Sequence, residues 1–328
     1  MRVQRYSFTK GFMTRGLSYY CRKFAKLNVN RSSGVAPNKP ILLLSVIELI
    51  SQGQIRQNQI ILSPELIATF LNLWSHLEPV RKPDIALPFF HLKGDSFWHH
   101  QPKPGFEAVI ASGAKIRAVG LLRETVQYAY FDEELFALLA DPSSRGELMD
   151  ILIRTWFKDK TQEIERLLQV DAFQEWQERL RTQGGKVYRP EELEDEQTSI
   201  VRDAAFRKIV VSTYEYRCAL CGLQILNSLG HNIVDGAHIK PFSQFYDDRI
   251  NNGLSLCKNH HWAFDRFWFT LNDDYTIVVS DDLREDSPHA TPIRAFQNQS
   301  IILPPHEQYY PRQDALQWHR QTFLERVA

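Results

Sequence analysis

Apolar positions along the chain fall into runs with helical spacing, broken by proline, glycine and acidic stretches. From Asn38 the residues Pro40, Ile41, Leu42, Leu44, Val46, Ile47 and Leu49 have the density of a core helix ending near Gly53. Asn38 would cap it, with Pro40 in the first turn. Ser63-Pro64-Glu65 carries the chemistry of a second helix start, followed by Leu66, Phe70, Leu73 and Trp74 on one face. Residues 131–139 and 143–157 predict further helices, and 161–181 predicts a connecting helix stopped by Gly184-Gly185. The stretch 83–104 is rich in proline and aromatic residues and predicts short strands and loops. Farther on, 200–216 predicts a helix, 275–279 a strand and 314–327 a closing helix. No internal repeat is visible. Residues 183–199 combine Gly184, Gly185 and Pro190 with the acids Glu191, Glu192, Glu194, Asp195 and Glu196, the composition of a boundary between domains. The expected organisation is a domain over 1–157, a connecting helix and acidic linker over 158–199, and a second domain over 200–328.

Length agrees: 328 residues at roughly 150 per domain gives about two. A 43% hydrophobic and 24% charged chain is ordinary for a globular protein. The best apolar run, residues 41–50, is too short for a bilayer and contains Glu48, and the first residues lack the apolar core of a signal peptide. A cytoplasmic protein with no membrane partner is the expectation. Net charge is zero, but its distribution is uneven. The first forty residues hold nine Lys and Arg and no acid, interleaved with Tyr6, Phe8, Phe12, Tyr19, Tyr20 and Phe24. Such a basic stripe suits a phosphate backbone, and equally a solvated arm with no partner.

Of the four cysteines, Cys218, Cys221 and Cys257 lie close in sequence. In a reducing compartment clustered thiols point to metal rather than to disulfides. Cys218-Ala219-Leu220-Cys221 is one half-site, and Cys257-Lys258-Asn259-His260 is another. Together they can close a tetrahedral Cys3His site for structural Zn²⁺. If a helix begins near Lys258, His260 shares a face with Cys257 while His261 points roughly 100° away. His261 is the alternative fourth ligand.

Between and after the half-sites stand residues 233–241 with His238, then Asn251-Asn252-Gly253-Leu254, then His260-His261 and Asp265. This ordered set resembles the HNH endonucleases of the ββα-metal fold over roughly residues 200–280. The resemblance implies His238 as general base, Asn252 as the middle residue that fixes the loop, and His261 as ligand of a catalytic Mg²⁺ or Mn²⁺. Neutral imidazole is a competent base for water near pH 7, and a hard divalent ion neutralises charge on a phosphate under attack. Where many members carry Asp before the base, this chain has Ala237. Asp235, two residues earlier and on the same strand face, is the candidate carboxylate ligand. Asp265 is a candidate cap or supporting partner. A zinc-bound DNA-binding module without catalysis would carry the same thiols.

An HNH unit alone reads little sequence, so targeting is expected from residues 1–157. Residues 86–92, containing Pro88-Phe89-Phe90-His91-Leu92, followed by Trp98, resemble the signature of sulfur-binding domains, with Leu87 where that family often has Tyr. The resemblance implies recognition of double-stranded DNA carrying phosphorothioate. Sulfur in place of a phosphate oxygen is larger, softer and less hydrated, so a dry cup formed by Pro88, Phe89 and His91 would accept it. Arg31 and Lys39 are the candidates for flanking phosphate contacts. Phe90 and Trp98 are expected in the core. The expected fold class is α+β: an α-rich DNA-reading domain joined to a ββα-metal HNH domain with its Cys3His zinc. The implied function is a modification-dependent restriction endonuclease. An HNH nuclease directed to a methylated base or plain sequence remains an alternative, and the oligomeric state, a homodimer included, is open.

Overall fold

The computed structural model describes residues 15–29, 36–111, 116, 118–193, 195–227, 231–286 and 290–327. The chain divides into two compact units, residues 1–172 and 173–328.

The first unit is built around the helix Asn38–Ser51, which is buried on nearly every side. Each of its large aliphatic side chains contributes about 1.5–3 kcal/mol by leaving water. The helices Pro64–Leu77, Glu133–Ala140 and Pro142–Trp156 pack around it, and Leu17–Ala25 lies against Pro142–Trp156. Two of these starts carry a side-chain cap: Ser63 Oγ accepts from Leu66 N at 3.3 Å, as expected, and Asp141 Oδ2 from Ser144 N at 2.8 Å, whereas Asn38, expected as a cap, is the first helical residue behind Pro37 and makes no capping bond. An antiparallel pair, Trp98–Pro102 with Val126–Phe131, completes the unit. Phe90 and Trp98 lie in the core as expected.

Three local expectations change. Residues 83–104 contain a helix, Ala86–His91, and a 3-10 turn, Leu92–Asp95, before the strand. Asp84 Oδ1, one residue before the N-cap Ile85, accepts from Leu87 N at 3.1 Å, and this bond together with Pro88 in the first turn favours helix over loop. The strand Val126–Phe131 precedes a helix that starts only at Glu133. The connecting helix is two helices, Thr161–Leu167 and Ala172–Gln183.

In the second unit the strands Val234–His238 and Gly253–Cys257 pair antiparallel, with Val234 opposite Cys257 and His238 opposite Gly253. The helix Lys258–Asp265 follows directly, with Cys257 at its N-cap. This is the ββα unit. One face of the hairpin lies on the long helix Glu196–Thr213. Gly236 permits the approach, because a Cβ there would stand 2.8 Å from Arg207 Cα. A second pair, Phe269–Leu271 with Ile277–Val279, carries the closing helix Gln313–Val327.

The acidic segment expected as a free linker differs. Ile250 N donates to Gly184 O at 3.1 Å, Asp248 N to Lys186 O at 3.0 Å, and Tyr188 N to Tyr246 O at 2.8 Å. Residues 184–188 are therefore a strap laid along residues 246–250. Gly185 has φ +77° and would place a Cβ 2.1 Å from Asp248 O, so no side chain fits there. Gly185, one of the two glycines that suggested a flexible boundary, serves a close backbone approach instead. Among the described residues no helix is long and apolar enough to cross a membrane.

Candidate functional site

The two cysteine half-sites meet. The ligand atoms of Cys218, Cys221, Cys257 and His260 all lie within 4.8 Å of one another. Gly222 N donates to Cys218 O at 2.9 Å and closes the knuckle turn. A tetrahedral Zn²⁺ with ordinary bond lengths sets S···N separations of about 3.5 Å. His260 Nδ1 stands 3.5 Å from Cys218 Sγ and 3.2 Å from Cys257 Sγ. The donor set and its spacing fit zinc. Cys257 is driven well below the ordinary thiol range by hydrogen bonds from Cys218 and Cys221, while Cys218 is driven above it. Among the described residues this is the only group of three or more such ligands within reach of one ion.

His261, one position on, faces elsewhere. Its Nδ1 is 3.5 Å from Asp235 Oδ2 and its Nε2 is 3.5 Å from Asp265 Oδ2. Asp235 also receives Arg207 at 3.1 Å and Lys258 at 3.0 Å. Burial alone would raise the Asp235 carboxyl. The hydrogen bond with His261, the charge of Arg207 and the bond from Lys258 outweigh it and hold the group well below the usual carboxylate range. An ionised carboxylate beside an imidazole is a donor set for a hard divalent ion that keeps most of its waters. Ala237 is fully buried in the core opposite Leu254, which explains why no carboxylate stands in that slot.

His238 and Asp235 alternate along the strand, so the structure does not put them on one face. The His238 ring stacks on Phe206, with centroids 3.9 Å apart and planes 6° from parallel. Its Nε2 is 2.8 Å from Asp248 Oδ1. Asp248 is fully buried, and its Oδ2 takes the Arg202 guanidinium. Arg202 in turn lies over the Phe242 ring at 3.6 Å. Sequence reasoning missed Asp248 and Arg202. The signal was weak, one acid of an Asp-Asp pair ten residues past the histidine.

Asn252 is fully buried, and its amide is committed to the loop. Its Oδ1 accepts from Lys240 N at 3.0 Å, and its Nδ2 donates to Lys240 O at 3.1 Å and Asp247 O at 3.0 Å. It staples the ends of the segment 240–247 together and so sets where Asp248 meets His238.

In the first unit the short helix Ala86–His91 lines a cavity of about 820 Å³. Leu87, Pro88, His91, Lys39 and Lys93 are on its wall. Phe89 is not. It is buried behind the helix, edge-on to Trp98 at 5.3 Å, and so supports the wall from inside, contrary to its expected place in the cup. Lys39 reaches the cavity, but its ammonium is paired with buried Asp95 at 2.6 Å, which corrects its reading as a free phosphate contact. Lys93, which sequence reasoning missed, lies 3.9 Å above the Phe90 ring, and burial lowers its affinity for the proton. Arg31 lies outside the described residues.

Comparison with known proteins gives two family matches. The model of the HNH endonuclease domain matches residues 218–272. The model of the ScoMcrA-like DNA sulfur-binding domain matches residues 18–170. Comparison with curated proteins gives no match. Among solved structures, the modification dependent TagI restriction endonuclease is 28% identical over 37% of this chain and 38% of that one, with a TM-score of 0.28. The chain thus spans well under two thirds of that protein. On the two family matches, this chain joins a ScoMcrA-like DNA sulfur-binding domain to an HNH endonuclease domain.

Proposed function

We propose that the protein is a modification-dependent restriction endonuclease of the cytoplasm. Its first unit binds duplex DNA carrying phosphorothioate, and its second hydrolyses a phosphodiester bond nearby. One observation carries the reading: a partly apolar cavity inside the sulfur-binding match and a complete His238, Asn252, His261 set inside the HNH match occur in one chain.

The cavity suits sulfur because Leu87 and Pro88 offer no hydrogen bond to replace the water that a phosphate oxygen would lose. That desolvation costs about 1–3 kcal/mol, or roughly 5- to 150-fold in affinity. Lys93 supplies positive charge beside the apolar wall, and His91 closes it.

In the nuclease unit His238 takes a proton from the attacking water, and Asn252 holds the loop that meets it. Asp235 and His261 would hold a divalent ion, Mg²⁺ or Mn²⁺, which when bound would neutralise the charge that builds on the phosphate. Arg207 and Lys258 keep Asp235 ionised and fix its direction. The Cys3His group holds structural zinc, which ties the knuckle to the start of the helix that carries His261.

The deciding experiment is cleavage of matched plasmids with and without phosphorothioate in the presence of Mg²⁺ or Mn²⁺. Cutting of the modified plasmid alone is expected. Equal cutting would leave a nuclease directed to another feature, and no cutting of either would leave a binding protein.

A further inference from the structure

We infer that Asp248 is a positioning residue for His238: it fixes the imidazole with its proton on Nε2 and leaves Nδ1 as the atom that accepts a proton from water. The inference rests on the reading of His238 as the base.

The geometry allows little else. An ionised carboxylate only accepts, so an imidazole nitrogen 2.8 Å from Asp248 Oδ1 must carry the hydrogen. A neutral ring then has its lone pair on Nδ1. Among the described residues Nδ1 has no hydrogen-bond partner, and it is not one of the buried unsatisfied atoms, so it reaches solvent. The ring cannot swing away, because Phe206 lies flat against it at 3.9 Å and Phe242 stands at 5.7 Å.

Asp248 is itself fixed. Its second oxygen is held by Arg202, its backbone N–H donates to the strap at Lys186 O, and its side chain has no exposure to water. The charged and titratable groups facing this cluster are Arg202 from the long helix, Asp248 from the loop, and Tyr188 from the strap, whose phenol is pushed up by burial and then by the Asp248 charge. One arginine facing one carboxylate keeps the carboxylate an acceptor.

In the reaction, water gives a proton to Nδ1 while its oxygen bonds to phosphorus. The bond from phosphorus to the leaving oxygen breaks and that oxygen takes the electron pair, then a proton from solvent. His238 becomes an imidazolium, which Asp248 stabilises through the unchanged Nε2 hydrogen.

Asp248→Asn tests this with almost no change of shape. Arg202 can only donate, so it selects the amide oxygen and turns the amide NH₂ towards His238. Nε2 must then accept, the proton moves to Nδ1, and the base is lost. For the full-length protein with zinc bound, DNA affinity should stay within about threefold, since the base acts only in the chemical step. The single-turnover cleavage rate should fall by about 100- to 10,000-fold across the pH profile. Asp248→Glu should recover part of the loss. A folded Asp248→Asn variant that cleaves at near the wild-type rate, while His238→Ala is inactive, would overturn the inference and leave the base in place. Wild-type cleavage by His238→Ala would overturn both. If Asp248→Asn does not fold, ¹⁵N spectra of the wild-type protein decide, with His238 assigned by difference against His238→Ala. A protonated Nε2 is expected, and a protonated Nδ1 would refute the assignment.

Discussion

Asp95→Ala is the sharpest test of how the cavity of the first unit is held open. Asp95 Oδ2 pairs with Lys39 Nζ at 2.6 Å, and its Oδ1 accepts from Asn28 N at 2.7 Å. The two side chains are only 10% and 4% exposed, so solvent screens the pair little. Removing one partner of such a buried pair typically costs about 3–5 kcal/mol, because the other charge stays buried and uncompensated. For a unit of this size each kcal/mol lowers the midpoint by roughly 2–4 °C, so the loss should be about 6–20 °C. Scanning calorimetry of the full chain should show the transition of the first unit falling by that amount and the transition of the nuclease unit unmoved. The double substitution Asp95→Ala with Lys39→Met removes both charges and should recover more than half the loss. Asp95→Asn keeps an acceptor for Asn28 N and should cost less than Asp95→Ala. If Asp95→Ala melts within about 2 °C of wild type, under 1 kcal/mol on the same scale, the pair is not what holds this wall.

Metal analysis should find about one zinc per chain, and chelation or Cys218→Ser should collapse the nuclease unit, because a four-ligand site contributes folding energy directly. A zinc-free chain with an unchanged melting profile would refute the Cys3His assignment. Pro88→Asp should erase the preference for phosphorothioate duplex in a gel shift by placing a hydrated charge beside the sulfur, whereas Lys93→Ala should weaken modified and plain duplexes alike. Acid should destabilise the first unit early. Burial pushes His100 down to about 4 from its ordinary 6.5, so between those values the unfolded chain binds a proton that the folded one refuses. The stability that neutral His100 contributes is therefore full above about pH 6.5 and lost as pH falls towards 4, and His100→Phe should flatten that part of a stability-against-pH curve.

What could be read from the sequence was local. The knuckle, the Cys257–His260 turn and the Asn252-Gly253 step each place their chemistry within a few residues, so spacing alone revealed them. The orthogonal directions of His260 and His261 followed from helical geometry. Asp248 could not be found this way, because its meeting with His238 depends on Asn252 closing a loop and on Arg202 arriving from a helix 46 residues away in sequence. The helix Ala86–His91 was hidden by Pro88, since a proline in a first turn and one in a loop look alike until the bond from Leu87 N to Asp84 is seen. Which of Pro88, Phe89 and Phe90 faces outward could not be read from periodicity, because a six-residue helix is too short to tell. Lys39 looked like a phosphate contact because Asp95, its partner, is 56 positions away.

The strap has a practical consequence for anyone who would graft this nuclease onto a different reader. A cassette cut at residue 200, where composition suggests the seam, would carry His238 and the whole Cys3His group yet leave behind the backbone groups at 184–188 that hydrogen-bond to 246–250. The segment bearing Asp248 would lose its edge partner, and the transplanted module would bind zinc normally while cutting poorly. The portable piece begins no later than Phe173, where the second compact unit starts.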